Sequence, residues 1–485
     1  MKKRAKHTLS HYRMHTANMG ELFPIACIPV LAGDTVQMHT DALVRVSPLN
    51  TPVMHPTTVR IDHWFVPNRI VYPEWETFIT GGNDGQGDGE PQIPTVSTTA
   101  EKKALLSYLG CPPIAGLSVN AMALMATNKI FNERYRDQDL VPERGLTDNS
   151  IMRIAWEKDQ FSTARPWTQR GPDVSIPIGE NLKVFANTNA DNTPIEVDDL
   201  QGQPRVLDTD ATPPGAPLQL GATGGSGAGL YADAANATGA NINDVRAAFA
   251  IQRYQEARAR YGARYVEYLR YLGINPSDAR LQDPEYLGGG RQRLQFSEVL
   301  QTANDTDTST GPRTNIGVGD MYGHGIAGAR TNKFRKFFEE HGYIITLMSI
   351  RPKAIYQNGL HREWFKTTKE DFFQKELANL GQQEVATAEL FGQDPGTVFG
   401  YQDRYYEYRR HPSQVHNDFR DTLNAYHMAR ELDASVALNQ SFVECNPSDR
   451  IFQIGEQVAD TCWIMANHHV VARRLVPKHA NPKVI

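Results

Sequence analysis

The segment Phe337–Arg351, FFEEHGYIITLMSIR, constrains the fold more than any other stretch of the chain. Glu339, Glu340, His341 and Gly342 form a charged turn, and an apolar, β-branched-rich run follows directly. A run of that length, closed by Arg351 and Pro352, reads as a buried strand leaving a surface loop. The chain is therefore built around a β core.

Other segments support that reading. Asp34–Val46 and Thr57–Val66 alternate as strands do, the second placing Val59, Ile61, His63 and Phe65 on one face. Pro48, Pro52 and Pro56 make the link between them irregular. Val174–Pro177, Tyr343–Ile350 and Thr461–Val471 are further strand candidates. Thirty-eight glycines and 29 prolines scattered between short apolar segments favour a loop-rich β protein over a helical one.

Four stretches carry helical spacing. Asn120–Tyr135 has Met122, Met125, Ile130 and Phe131 on its apolar side. Asn243–Leu272 is long; Asn243 can cap it, Gly273 and Pro276 stop it, and Gly262 is a place for a kink. Lys369–Leu380 and Asp418–Leu432 are shorter candidates. Asn187–Gly239 holds too little apolar mass for a core and reads as an exposed loop, and Gly81–Pro91 is a second polar loop.

Charge is unevenly placed. Lys2, Lys3, Arg4, Lys6 and Arg13 stand in the first twenty residues without an acid. Arg473, Arg474, Lys478 and Lys483 stand likewise in residues 470–485. Those nine charges, set against a formal net charge of −5, leave −14 on the body. Two readings are open: frayed, solvated ends, or tails that face nucleic acid.

Signals for chemistry are weak. Gly323–Gly328, GHGIAG, matches a dinucleotide loop in spacing but is preceded by a polar stretch where such a loop needs a strand. The turn Asp84–Gly89 lacks calcium-loop ligands, with Gln86 and Thr95 at key positions. His468 and His469 point to opposite faces if they lie on a strand, and His411 and His416 show no metal spacing. Cys27, Cys111, Cys445 and Cys462 are far apart and read as free thiols, which suits folding in a reducing cytoplasm. No cofactor, metal or catalytic group is expected. Neither a signal peptide's apolar region nor a run long enough to insert in a membrane is legible.

Ten segments in order resemble the major capsid protein of small single-stranded DNA phages, the Microviridae, and its gokushovirus-like branch in particular. They are GELFPIACIPVLAGD (Gly20–Asp34), ALVRVSPLNTPVMH (Ala42–His55), FVPNRIVYPEWETFITGG (Phe65–Gly82) and FSTARPWTQRGPDVSIP (Phe161–Pro177). INDVRAAFAIQRYQEARARYGARYVEYL (Ile242–Leu269), DARLQDPEYLGGG (Asp278–Gly290) and EEHGYIITLMSIRP (Glu339–Pro352) follow. YQNGLHREW (Tyr356–Trp364), FGYQDRYYEYRRHPSQVHNDFR (Phe399–Arg420) and LNQSFVECNPSDRIF (Leu438–Phe452) complete the series.

The resemblance implies an eight-stranded antiparallel jelly-roll sandwich with long loop and helical insertions. It implies a basic arm at 1–20, the jelly roll at 21–180 and 330–469, an insertion at 181–329 and a basic tail at 470–485. The expected role is a structural subunit, not an enzyme, forming a T=1 icosahedral shell of about sixty copies around circular single-stranded DNA. It would fold and assemble in the bacterial cytoplasm and end in the virion.

Expected DNA contacts are Lys2, Lys3, Arg4, Lys6, Arg13, Arg473, Arg474 and Lys478. Nine terminal charges in each copy give roughly 540 per shell, several-fold short of a genome's phosphates. A small basic DNA-binding protein is therefore an expected partner, with a scaffolding protein, a pilot protein and a host surface receptor. Tyr–Arg mixtures suit subunit contacts or stacking with DNA bases, the alternative being arginines that snorkel around the helix's own core; the subunit-contact candidates are Tyr254, Arg258, Tyr261, Arg264 and Tyr265, and also Tyr405, Tyr406, Arg409 and Arg410. The rival readings are a jelly-roll protein binding bacterial surface glycan, and a β-sandwich glycoside hydrolase needing paired carboxylates.

Overall fold

The computed structural model describes residues 4–80, 91–172, 174, 242–261, 265–274, 283–300, 321–392, 397–453 and 460–478. It also describes short strands at 184–186, 195–198, 204–208, 219–221 and 230–232. The chain divides into two compact units, residues 1–168 with 264–485, and residues 169–263.

The larger unit is mainly β. Its strands are β1 (Ala5–Thr8), β2 (His11–Ala17), β3 (Glu21–Val30), β4 (Thr35–Val46) and β5 (Thr57–Pro67). Then come β6 (Glu285–Leu300), β7 (Met321–Arg330), β8 (Phe334–Phe337), β9 (Gly342–Pro352) and β10 (Cys462–Arg474). All pair antiparallel in the order β1–β10–β4–β7–β6–β5–β9–β3, with β2 also on β10 and β8 also on β4.

The long strand β6 joins two faces, Glu285–Leu294 lying along β5 and Gln295–Leu300 along β7. Between the faces Phe23, Ile25, Val59, Ile61 and Met348 meet Val44, Ile464 and Ala466, all buried. Each of those Val, Ile, Phe and Met side chains removed from water contributes about 1.5–3 kcal/mol. This is the packed antiparallel architecture that the sequence predicts, and it is consistent with a jelly roll.

Alternation explains β4: Val36, Met38, Thr40, Ala42, Val44 and Val46 are buried, while the residues between them face outward. Strand β9 is apolar throughout because it is covered twice. Met348 and Ile350 face the interior between the sheets. Ile345 and Leu347 face a second cluster that includes helix α1 (Leu105–Leu109) and helix α2 (Met122–Ile130).

Pro24 and Pro29 lie inside β3, which pairs with β9 on one side and with Arg153 and Met152 only at Glu21 and Leu22 on the other. An open edge asks for no N–H there, so proline is tolerated. Gly290 is needed for close approach, since a Cβ there would stand 2.3 Å from the Arg330 carbonyl oxygen.

The helix expected at Asn120–Tyr135 is present as α2 continued by a wider turn over Phe131–Tyr135. The Asn120 side chain accepts the Met122 N–H at 2.8 Å. The long-helix expectation resolves into α3 (Ile242–Tyr261), in the smaller unit, and α4 (Tyr265–Tyr271), in the larger.

Two helix expectations fail. Lys369–Leu380 contains only a 3₁₀ turn at Glu376–Asn379. Asp371 accepts the N–H groups of Thr367 and Thr368, which closes a turn just ahead of the stretch. Phe372, Phe373 and Leu380 stay largely exposed, so the stretch has no buried face to stabilise a helix. Asp418–Leu432 has 3₁₀ turns at Asn417–Arg420 and Asn424–Tyr426 and is otherwise irregular. Arg450 explains it by taking the carbonyls of Asn424, His427 and Ala429, which a helix would use itself.

Within Asn187–Gly239, Ile195–Asp198, Pro204–Asp208 and Gln219–Gly221 form a three-stranded ladder. Leu230–Ala232 pairs with Val184–Ala186. Composition missed these strands because backbone hydrogen bonds need no apolar mass. The remainder of that segment, Gly81–Glu90 of the second polar loop and all but Val174 of Val174–Pro177 lie outside the described residues.

Gly323–Gly328 falls inside β7 and leads to β8, so it has no phosphate-binding helix behind it. The four cysteines are unpaired; burial pushes the thiols of Cys27, Cys445 and Cys462 up to about 12. Among the described residues no helix is long and apolar enough to cross a membrane.

Candidate nucleic-acid interface

The alternation that buries one face of β10 turns the other face to solvent. Trp463, Met465, Asn467, His469, Val471 and Arg473 point outward along it. Register places them opposite Arg45, Leu43, Asp41, His39, Gln37 and Thr35 of β4. On its far side β2 adds Thr16, Met14 and Tyr12 opposite Trp463, Met465 and Asn467. Beyond β4, Arg330 lies opposite Asp41 and Arg335 opposite Gln37.

The result is a mixed aromatic and basic surface. Tyr12 is 66% exposed, Met14 74% and Trp463 44%. Lys6, Arg45, Arg330, Arg335 and Arg473 are exposed cations on the outward rows, and Asp41 is the one carboxylate among the described residues of those rows. Aromatic rings among cations suit stacked bases and backbone phosphates of a single strand.

The two basic ends, distant in sequence, meet on this surface. Strand β1 pairs with the end of β10, and Lys6 stands directly opposite Arg473 with both exposed. Like charges opposed across an antiparallel pair destabilise it, unless an anion lies over them. Arg4 donates to the Gly33 carbonyl and the Thr35 hydroxyl and lies 5.4 Å from the centre of the Phe337 ring.

The other terminal candidates are placed differently. Arg474 is held inside the chain, its Nε 2.9 Å from Oδ2 of the fully buried Asp34 and its Nη2 donating to the Pro29 carbonyl at 2.7 Å. Arg13 donates to the carbonyls of Tyr108 and Leu109, closing the end of α1. Lys478 is exposed, and Lys2 and Lys3 lie outside the described residues.

Beneath the surface runs a buried polar seam. His468 Nε2 donates to the Ile25 carbonyl at 3.1 Å, leaving Nδ1 to accept from the Thr40 hydroxyl at 2.9 Å. His63 bonds to the hydroxyls of Thr346 and Thr331. Burial lowers both imidazoles, His63 to about 4 and His468 to about 3, so each is neutral at physiological pH. As expected of adjacent strand residues, His468 is buried and His469 faces out.

Of the contact candidates, Tyr254 and Arg258 are exposed on α3 and the guanidinium lies 5.6 Å from the ring centre. Phe249 and Ile251 are exposed on the same helix. The side chains of Tyr261 and Tyr265 and the whole of Arg264 lie outside the described residues. Tyr405 and Tyr406 are buried within the chain; the Tyr406 hydroxyl donates to Glu389, and Arg362 stacks on its ring. Arg409 and Arg410 are exposed, together with Tyr408.

Sequence reasoning did not single out Tyr12, Met14, Arg45, Trp463 or Met465. The available signal was Thr461–Val471, where large apolar residues fall on both alternations, one more than a half-buried strand needs.

Comparison with known proteins adds an independent line. A family model described as capsid protein (F protein) matches residues 1–483. The chain is 33% identical over 478 residues to capsid protein VP1 of Bdellovibrio phage phiMH2K, covering 91% of this chain and 88% of that protein. It is 27% identical to capsid protein VP1 of Chlamydia phage 1, covering 99% and 95% respectively. Capsid protein VP1 of Spiroplasma virus 4 is 30% identical, with 88% and 85% covered.

Proposed function

The chain belongs to the phage capsid protein (F protein) family, and on that premise we propose that it closes a T=1 shell of about sixty copies around circular single-stranded DNA. The outward face of β10 and β4 is the surface turned to the genome. One observation carries this: Lys6 and Arg473, like charges from the two basic ends, are held directly opposed and exposed on the sheet face that also carries Tyr12 and Trp463. A fold tolerates that pairing when a polyanion covers it.

In this reading residues 1–20 and 470–485 serve the genome, while the 181–329 insertion and α3 serve neighbouring subunits and the host. Tyr254, Arg258, Phe249 and Ile251 are exposed in the single chain, as subunit contacts are before assembly. A small basic protein, a scaffolding protein and a pilot protein complete the particle.

The rival glycan-binding reading has one observation in its favour, since Tyr12 and Trp463 expose rings on one sheet face. The surrounding cations favour a polyanion over a neutral sugar.

Dual-wavelength sedimentation of nuclease-treated particles separates the two. The proposal expects a shell-sized species with excess nucleic-acid absorbance, and a Lys6→Gln/Arg473→Gln variant that still forms shells but holds less DNA. The same variant should leave the isolated subunit as stable or up to about 1 kcal/mol more stable, because the opposed charges are gone. A small species without nucleic acid refutes the shell. Unchanged DNA content in the variant refutes the assignment of this face.

A further inference from the structure

The outward face of β4 and β10 also carries a set of donors with no part in the reading above. His39 and His469 lie directly opposite each other in register, and Asp41 follows His39 by two residues, on the same face. The imidazole rings stack at 4.5 Å between centres, tilted by 13°. Asp41 Oδ2 is 3.5 Å from Nε2 of His469 and 4.0 Å from Nε2 of His39. One nitrogen from each histidine and one carboxylate oxygen all fall within 4.8 Å of one another.

We propose that His39, Asp41 and His469 form a binding site for a borderline divalent transition-metal ion of the zinc type. Two imidazoles and a carboxylate are the donor set such ions take, while calcium and magnesium take oxygen alone. Ligands about 2.0–2.1 Å from a tetrahedral ion stand about 3.3 Å apart, so the carboxylate closes on His469 by about 0.2 Å and on His39 by about 0.7 Å, and the stacked rings turn to aim both nitrogens at the ion. The β4–β10 ladder fixes the three Cα positions before any ion arrives, which lowers the ordering cost of binding.

The surroundings are arranged to orient the donors. Arg330 Nε lies 3.3 Å from Asp41 Oδ1, which leaves Oδ2 turned to the histidines. Asn467 Nδ2 is 3.2 Å from His469 Nε2 and must swing aside, or present its oxygen, when the ion binds. Outer contacts of this kind set ligand orientation at metal sites. Bound there, the ion ties the C-terminal strand to β4, with its remaining positions open to water.

The test uses the full-length subunit freed of metal by chelator and dialysed. Titration with ZnCl2 by calorimetry should show one ion per chain at micromolar or tighter affinity and a rise in the thermal midpoint. CaCl2 and MgCl2 at the same concentration should give neither. Cobalt substitution should give the visible absorption of a tetrahedral site. His469→Asn and His39→Asn should each weaken binding at least tenfold while keeping the apo protein's thermal midpoint, whereas His341→Asn, elsewhere on the surface, should leave binding unchanged. Millimolar affinity in the wild type, or equal affinity in the His39 and His469 variants, overturns the assignment.

Discussion

Replacing Arg474 by Met asks whether this arginine holds the fold together or the genome in place. Asp34 is fully buried, its Oδ2 accepts the Leu31 N–H at 3.0 Å, and Arg474 supplies its positive partner at 2.9 Å. Methionine keeps most of the apolar stem and removes the charge, leaving a carboxylate in the interior with one backbone donor. Breaking a buried pair from one side costs about 3–5 kcal/mol. That is roughly two to four decades in the unfolding equilibrium.

The assay is urea unfolding of the subunit below its assembly concentration, read by tryptophan fluorescence and far-UV circular dichroism. Arg474→Met should lower the midpoint strongly. Adding Asp34→Asn should recover part of the loss, because the orphaned charge is then removed, with a coupling of about 0.5–3 kcal/mol in the cycle. If Arg474→Met stays within about 0.5 kcal/mol of the wild type and the two changes add, the pair is not holding the β3–β4 turn to β10 and the reasoning fails.

Acid should weaken the subunit through its buried histidines. Burial lowers His63 to about 4 and His468 to about 3, so below the ordinary value of 6.5 the unfolded chain takes up protons that the native one refuses. Stability is present above that value and lost as pH falls toward the folded values, by up to about 3 kcal/mol for His63; His63→Gln should flatten the stability profile between pH 6 and 4, and an unchanged slope counts against it. Tyr254→Ala should leave subunit stability within about 0.5 kcal/mol, because the ring is exposed, yet impair assembly by sedimentation; the reverse order would make it a core residue. Gly290→Ala should destabilise by about 1–3 kcal/mol, because the new methyl meets the Arg330 carbonyl, and a wild-type melting profile would contradict that contact.

The sheet was legible where burial writes itself into alternation. β4, β5, β9 and β10 fall within a few residues of their expected bounds. The failures have different causes: helical spacing was present in both, but Lys369–Leu380 buries no face against the fold, and at Asp418–Leu432 Arg450 takes carbonyls a helix requires. Local propensity does not encode a competitor supplied from elsewhere in the fold. The same limit governed the sites. The basic ends were visible as composition, but that Lys6 faces Arg473, and that Arg474 is consumed by Asp34, depends on register between the first and last strands. His39, Asp41 and His469 are assembled by that same register and were invisible as a pattern.

Strand β10 lies between β4 on one side and β1 and β2 on the other, although all three of those strands precede it by more than four hundred residues. During synthesis, at about 5–20 residues per second, the first strands wait tens of seconds for the partner that closes them. Until then β4 presents an unpaired edge to the cell, which is the kind of edge that recruits other chains. The last strand to appear therefore sets when the subunit is safe to meet its copies, and a truncation before Cys462 should yield aggregate in place of a smaller, soluble subunit.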